Sequence, residues 1–218
     1  MPSRMARTLG SITALAVLTI ATTTVGRAQA PDTSLVVALS RALVQASAAG
    51  DLDALDRALE SGADVNATVR GDGSALIAAA RQGRVQIVEA LLNRGADPNL
   101  PVRGDGNALI AAAREGQIAV IELLLSRGAS IDQVVDGDEN AIIQASSAGR
   151  LAVVQLLVAR GADVNARVRA DSWDSDLDER RPEWRTPLGM AIQNHHDDVA
   201  EFLRLSGAVA DDPLPREF

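Results

Sequence analysis

The sequence predicts an all-α solenoid of about five helix-turn-helix units joined by short hairpin loops. Three observations lead there. A segment of the form Ala-Leu-Ile-Ala-Ala-Ala recurs at a fixed interval of roughly 33 residues, the spacing of a helical repeat array. A Gly-Ala-Asp marker recurs in phase with it. Hydrophobic residues make up 47% of the chain but aromatics only 2%. A core of Ala, Val, Ile and Leu suits thin, closely packed helices.

The period is visible in three gap-free stretches, Ser74 to Gly83, Asn107 to Gly116 and Asn140 to Gly149. Gly50, Gly83, Gly116 and Gly149 share one phase of it. The second marker reads Gly62-Ala63-Asp64-Val65-Asn66, Gly95-Ala96-Asp97-Pro98-Asn99, Gly128-Ala129-Ser130-Ile131-Asp132 and Gly161-Ala162-Asp163-Val164-Asn165. A last unit, Thr186-Pro187-Leu188 through Gly207-Ala208, arrives later than the period requires, so an insertion lies between about Arg169 and Arg185. The units fall at about 35–66, 73–99, 106–132, 139–165 and 186–210, with a loose acidic tail over 211–218.

Within the second unit, Ala75 to Arg81 reads as a short first helix, since Ala has the highest helix propensity. Gly83 ends it in the left-handed region. Val85, Val88, Leu91 and Leu92 then share one face of a second helix, which Gly95 stops. Arg103-Gly104-Asp105-Gly106 turns the chain towards the next unit. No unit buries its apolar stripe alone, so stability is shared between neighbours. Leu35 to Leu59 reads as an N-terminal cap.

These motifs resemble the ankyrin repeat family over roughly Leu35 to Val209, in the manner of a secreted bacterial member. The family's Thr-Pro-Leu-His opening survives as Thr186-Pro187-Leu188-Gly189, whereas the middle units open Ser-Ala-Leu-Ile, Asn-Ala-Leu-Ile and Asn-Ala-Ile-Ile. The resemblance implies that Ser or Asn caps the first helix where Thr and His would otherwise bond. The loops are also similar to ankyrin tails of some bacterial membrane zinc peptidases, but the chain has no His-Glu-x-x-His and no peptidase is carried over. For function, the resemblance implies protein–protein recognition through hairpin tips and the exposed side of the first helices.

Residues 1–30 read as a secretory signal peptide. Arg4 and Arg7 precede an uncharged stretch from Thr8 to Gly26, and Ala28-Gln29-Ala30 supplies the small residues of a cleavage site. Cleavage after Ala30 removes Arg4, Arg7 and Arg27 and no acid, making a chain of net charge −8 more acidic still. An uncleaved membrane anchor is the competing reading. The expected location is the periplasm or outside the cell, with no membrane contact after cleavage and a monomeric state.

The remaining vocabulary is poor in catalytic groups. The chain has no Cys and no Lys, so disulfides, thiolate ligands, Schiff bases and the phosphate-loop lysine are excluded. Its acidity disfavours nucleic acid. His195 and His196 fall in a turn between helices rather than in a metal or acid–base site. Arg70-Gly71-Asp72 and Arg103-Gly104-Asp105 spell an integrin-type tripeptide, but turn chemistry accounts for them. Asp174, Asp176 and Asp178 resemble the opening of a calcium loop, yet Glu179 and Arg185 stand where that loop needs Gly and Glu. No cofactor is expected. A carboxylate hydrolase around Asp174, Asp176 and Glu183 is the enzymatic alternative to a binding module. Among binding roles, an inhibitor or protector of a periplasmic enzyme stands beside a plain recognition module.

Two sets of residues are candidates for contacting a protein partner. One is a strip repeating along the hairpins, Val69, Arg70 and Asp72, then Val102, Arg103 and Asp105, then Val135, Asp136 and Asp138, then Val168 and Arg169, continued by Arg81 and Arg114 on the helices. Packing of hairpin on hairpin is the other reading of the valines. The second set lies in the insertion, where Trp173 and Trp184 occur among Arg180, Arg181 and Arg185. Trp and Arg are enriched at binding hot spots, and inserts in repeat proteins often extend from the binding face. Alternatively, Trp184 packs on the last repeat.

Overall fold

A computed structural model describes residues 33–135, 139–174 and 179–209. The predicted signal peptide, the tail and the acidic tip at 175–178 lie outside these residues. The described helices come in pairs. They are α1 (Thr33–Ala49) with α2 (Leu52–Glu60), α3 (Ala75–Arg81) with α4 (Val85–Asn93), α5 (Ala108–Glu115) with α6 (Ile118–Ser126), α7 (Ala141–Ser147) with α8 (Leu151–Ala159), and α9 (Pro187–Gln193) with α10 (Asp197–Leu205). This is the repeat solenoid expected from the period.

The first helices stack on one another more intimately than the second helices do. The cause is side-chain size. Ala78, Ala79 and Ala80 of α3 and Ala111, Ala112 and Ala113 of α5 are all buried, so backbones approach closely. The second helices meet through larger groups, with Ile87, Val88 and Leu91 in α4 and Val120, Ile121 and Leu124 in α6 fully buried. Val85, expected on the buried face, is instead partly exposed, and Ile87 takes its place. Val85 is the first residue of α4.

Each first helix after α1 starts with a side-chain cap. Ser74 Oγ accepts from Ile77 N at 3.2 Å, Asn107 Oδ1 from Ile110 N at 2.8 Å, Asn140 Oδ1 from Ile143 N at 3.1 Å, and Thr186 Oγ1 from Gly189 N at 3.0 Å. Ser and Asn thus do at this corner what the sequence reading assigned to them.

The equivalent position of the second helix is used differently. Arg84, Gln117, Arg150 and His196 make no cap bond. They reach back to the preceding unit instead. Arg84 Nε donates to the Ala48 carbonyl at 3.2 Å, Gln117 Nε2 to the Arg81 carbonyl at 3.3 Å, and Arg150 Nε to the Arg114 carbonyl at 3.0 Å. His196 Nε2 lies 3.1 Å from the Ser147 carbonyl. Each bond satisfies a carbonyl that the end of a helix leaves without an intrahelical donor.

The same reach explains the periodic glycine. Gly149 has φ +67°, and a Cβ there would lie 2.5 Å from His196 Nδ1. His195 occupies this position in the last unit at φ +60°. Among the described residues no side chain of a further unit closes over it, and the backbone strain remains.

A second ladder ties the back loops. Asn66 accepts from Asp97 N at 2.8 Å and donates to the Gly95 carbonyl at 3.2 Å. Asn99 makes the same two bonds to Ser130 N and the Gly128 carbonyl, and Asn165 makes them to Val209 N and the Gly207 carbonyl. Asp132, having no amide, only accepts from Asp163 N.

The described residues of the insertion form strands rather than a plain loop. β3 (Val168–Asp174) and β4 (Glu179–Arg185) pair antiparallel from Val168↔Arg185 to Asp174↔Glu179. The added residues lengthen a hairpin that elsewhere is minimal, as in β1 (Thr68–Val69) and β2 (Gly73–Ser74).

Three changes test this account by denaturant unfolding. Leu124→Ala should cost about 2–5 kcal/mol, as for a fully buried Leu. His195→Gly should stabilise by up to about 1 kcal/mol by relieving the left-handed backbone. Asp132→Asn should stabilise by about 0.5–1.5 kcal/mol through the added bond to the Gly161 carbonyl.

Candidate partner-binding surface

The hairpins and the C-terminal ends of the first helices form one side of the stack, and the candidate residues divide there by what the fold already uses. Val69, Val135 and Val168 are buried, and Val102 is half-buried. This corrects the reading of the valines as a surface ridge. A short hairpin has only one apolar side chain with which to anchor itself, and stacking encloses that side chain.

The tips themselves are turns. Gly71 has φ +85° and Gly104 φ +84°, and Asp72 N and Asp105 N donate to the Val69 and Val102 carbonyls at 3.0 Å. Asp105 is drawn down to Arg81, 3.3 Å away. The two Arg-Gly-Asp tripeptides therefore differ, since Asp72 is exposed while Asp105 is half-buried and paired. Arg70 and Arg103 are exposed, as is Arg169, and none forms an ion pair with a described residue. Arg114 pairs only with its neighbour Glu115 among the described residues. Asp136 and Asp138 lie outside the described residues.

In the insertion, Arg185 is committed to the fold, which corrects its reading as a partner contact. It pairs with Glu139, whose side chain is 5% exposed and also accepts from Gln144 Nε2 at 2.7 Å. In the repeat frame Glu139 and Arg185 stand where earlier units have Gly73 and Gly106. The sequence carried a signal for this pair, two simultaneous departures from Gly at one repeat position, which the expectation of a partner contact passed over. Trp184 is 41% exposed, with Arg167 Cζ 5.0 Å from its ring centroid. Such a contact is a cation–π pair, and Arg167 was absent from the sequence candidates. In the strand register Trp184 lies opposite Arg169, Trp173 opposite Arg180, and Arg181 opposite Ser172. The calcium reading involves Asp176 and Asp178, outside the described residues. His196 is engaged with the Ser147 carbonyl, and His195 is exposed beside it.

The opposite side of the stack handles charge in another way. Arg94 pairs with Asp56, Arg127 with Glu89 at 3.2 Å, and Arg160 with Glu122 at 3.0 Å, each joining one second helix to the next. These exposed pairs each contribute about 0.2–1 kcal/mol. Arg94, Arg127 and Arg160 therefore work between units, whereas Arg70 and Arg103 at the hairpin tips form no ion pair with a described residue.

Removing Arg185 should leave Glu139 buried without its cation. Arg185→Ala is expected to destabilise by about 3 kcal/mol, and adding Glu139→Gly should recover most of the loss. Thermal unfolding of the two single variants and the double variant measures this.

A family model described as "Ankyrin repeats (3 copies)" matches residues 43–135 and 102–168, more than half of the chain. No curated protein matches the chain. Proteins with these repeats are generally protein–protein interaction modules and typically non-catalytic. On the matched period and the stacked helix pairs alike, the chain belongs to the ankyrin-repeat family.

Proposed function

We propose that this protein is an exported, non-catalytic recognition module that holds a protein partner along its hairpin tips and the exposed ends of its first helices. The observation that carries the reading is the division of charge between the two sides. At the ends of the second helices Arg94, Arg127 and Arg160 are paired from unit to unit, while Arg70, Arg103 and Arg169 are exposed and pair with no described residue. Trp184, exposed beside Arg167, adds an aromatic surface of the kind enriched in interfaces. Trp173, Arg180 and Arg181 of the same hairpin join the proposed contact set. Arg185 is left out, because the fold uses it.

Export rests on the N-terminal pattern of Arg4 and Arg7, an uncharged stretch and Ala28-Gln29-Ala30. The compartment is then the periplasm or the medium. N-terminal sequencing of the exported chain should read from Pro31. A mature chain still beginning at Met1 in the membrane fraction would sink the export reading in favour of an anchor.

Affinity capture from envelope extract tests the recognition role. Tagged mature protein is compared with a Trp184→Ala, Arg103→Glu, Arg169→Glu variant of equal melting temperature. One protein retained by the unaltered chain and lost by the variant is the expected result. Equal retention by both would place the contact elsewhere on the repeats.

A further inference from the structure

We propose that Asp72 is a site of spontaneous isoaspartate formation, and that Asp105, in the same Arg-Gly-Asp-Gly context, is protected from it by Arg81. The two hairpin tips are a matched pair. Residues 70–73 and 103–106 have the same sequence. Their backbones agree, with φ +85° at Gly71 and +84° at Gly104, then +77° at Gly73 and +74° at Gly106. Asp72 N and Asp105 N donate to the Val69 and Val102 carbonyls, both at 3.0 Å. Only the surroundings of the two carboxylates differ. Arg81 Nη2 donates to Asp105 Oδ1 at 3.3 Å, and the Asp105 side chain is 14% exposed. That side chain lies against the preceding tip, since a Cβ on Gly73 would come 3.6 Å from Asp105 Cβ. Asp72 is exposed, and its carboxylate makes no hydrogen bond or ion pair with a described residue. The repeat explains the contrast. Asp105 is held by Arg81, and the same place one unit earlier is Ala48, which has no charge to offer Asp72.

Aspartate followed by glycine is open to this reaction because glycine has no Cβ to obstruct the approach of its own amide. The Gly73 nitrogen attacks Asp72 Cγ and a C–N bond forms. One carboxylate oxygen leaves as water, carrying the amide proton and one proton from solvent. The five-membered imide then takes up water at either carbonyl. Opening at the side-chain carbonyl restores aspartate. Opening at the main-chain carbonyl routes the backbone through Cβ and Cγ and leaves the carboxylate on Cα. Water is lost and regained, so the step needs no co-reactant. Freeing the glycine amide costs the same at both tips. Gly73 pairs with Val69, and Gly106 N donates to the Val102 carbonyl at 2.9 Å. Such exposed hairpins open at far less cost than the packed helices. Asp105 has a further bond to break. Its carboxylate must leave Arg81 and turn out from the preceding tip before Cγ can meet the Gly106 nitrogen. The product adds a backbone methylene two residues from Arg70, which stands in the proposed contact set. A third Asp-Gly pair, Asp136-Gly137, lies outside the described residues.

Tryptic mapping tests the proposal. The chain has no Lys, and cleavage after Arg70, Arg81, Arg103 and Arg114 releases the near-identical peptides 71–81 and 104–114. The folded full chain is held for weeks at neutral pH and body temperature in heavy-oxygen water, then digested in ordinary water. Each passage through the imide installs a heavy oxygen at the aspartate, and the isoaspartyl form separates as a second chromatographic peak. Peptide 71–81 should convert about tenfold faster than 104–114, the factor set by one charge-assisted hydrogen bond broken before reaction. Arg81→Gln should raise conversion at Asp105 to about the rate at Asp72 and leave Asp72 unchanged. In the chain unfolded by denaturant the two peptides should convert at one rate. Equal conversion of the two in the folded chain, or conversion of neither, overturns the proposal. So does a difference that persists in the unfolded chain, or an Asp105 rate that Arg81→Gln leaves unmoved.

Discussion

How closely the first helices approach one another governs the other features of this fold. Ala78 to Ala80 and Ala111 to Ala113 leave no room for larger groups, and their small volume lets α1, α3, α5, α7 and α9 stack more tightly than the second helices. It also brings the C-terminal carbonyls of each first helix within reach of the next unit, where water would otherwise have to satisfy them.

The residue opening each second helix shows how this proximity changes local rules. Asp51, in the first unit, behaves as an ordinary N-cap and accepts from Ala54 N at 2.9 Å. Arg84, Gln117, Arg150 and His196 occupy the same place but turn backwards, because a carbonyl of the previous unit is waiting there. Asp51 has no earlier unit to serve among the described residues, and an ionised carboxylate could not donate to a carbonyl. The glycine before each of these residues follows from the same geometry. It needs a left-handed backbone, and the side chain of the next unit closes over it. Where no described side chain of a further unit closes over it, His195 stands instead.

Charge is organised by the same stacking. On the outer layer, opposite charges meet at a constant interval between adjacent units and fasten one to the next. Glu139 and Arg185 make a single, more enclosed version of this join at the foot of the long hairpin. They replace glycines that in earlier units lie against Ile77 and Ile110. Arg70, Arg103 and Arg169 are exposed and take part in none of these joins. Trp184 lies opposite the last of them in the strand register.

The architecture is legible in the sequence without a structure. A constant period with Gly at fixed phase, small residues in the first helix and Leu or Ile in the second leaves few alternatives to a stack of helix pairs. The Ser, Asn and Thr caps are equally legible, since capping acts within one turn of helix. The fate of each candidate contact residue is not. Arg70, Arg103, Arg185 and Val69 look alike as members of a repeating or inserted strip, yet Val69 is buried, Arg185 is taken by Glu139, and Arg70 and Arg103 remain exposed. Stacking alone separates them, because burial and pairing depend on residues a full repeat or more away in the chain, and no local pattern records which neighbour arrives first.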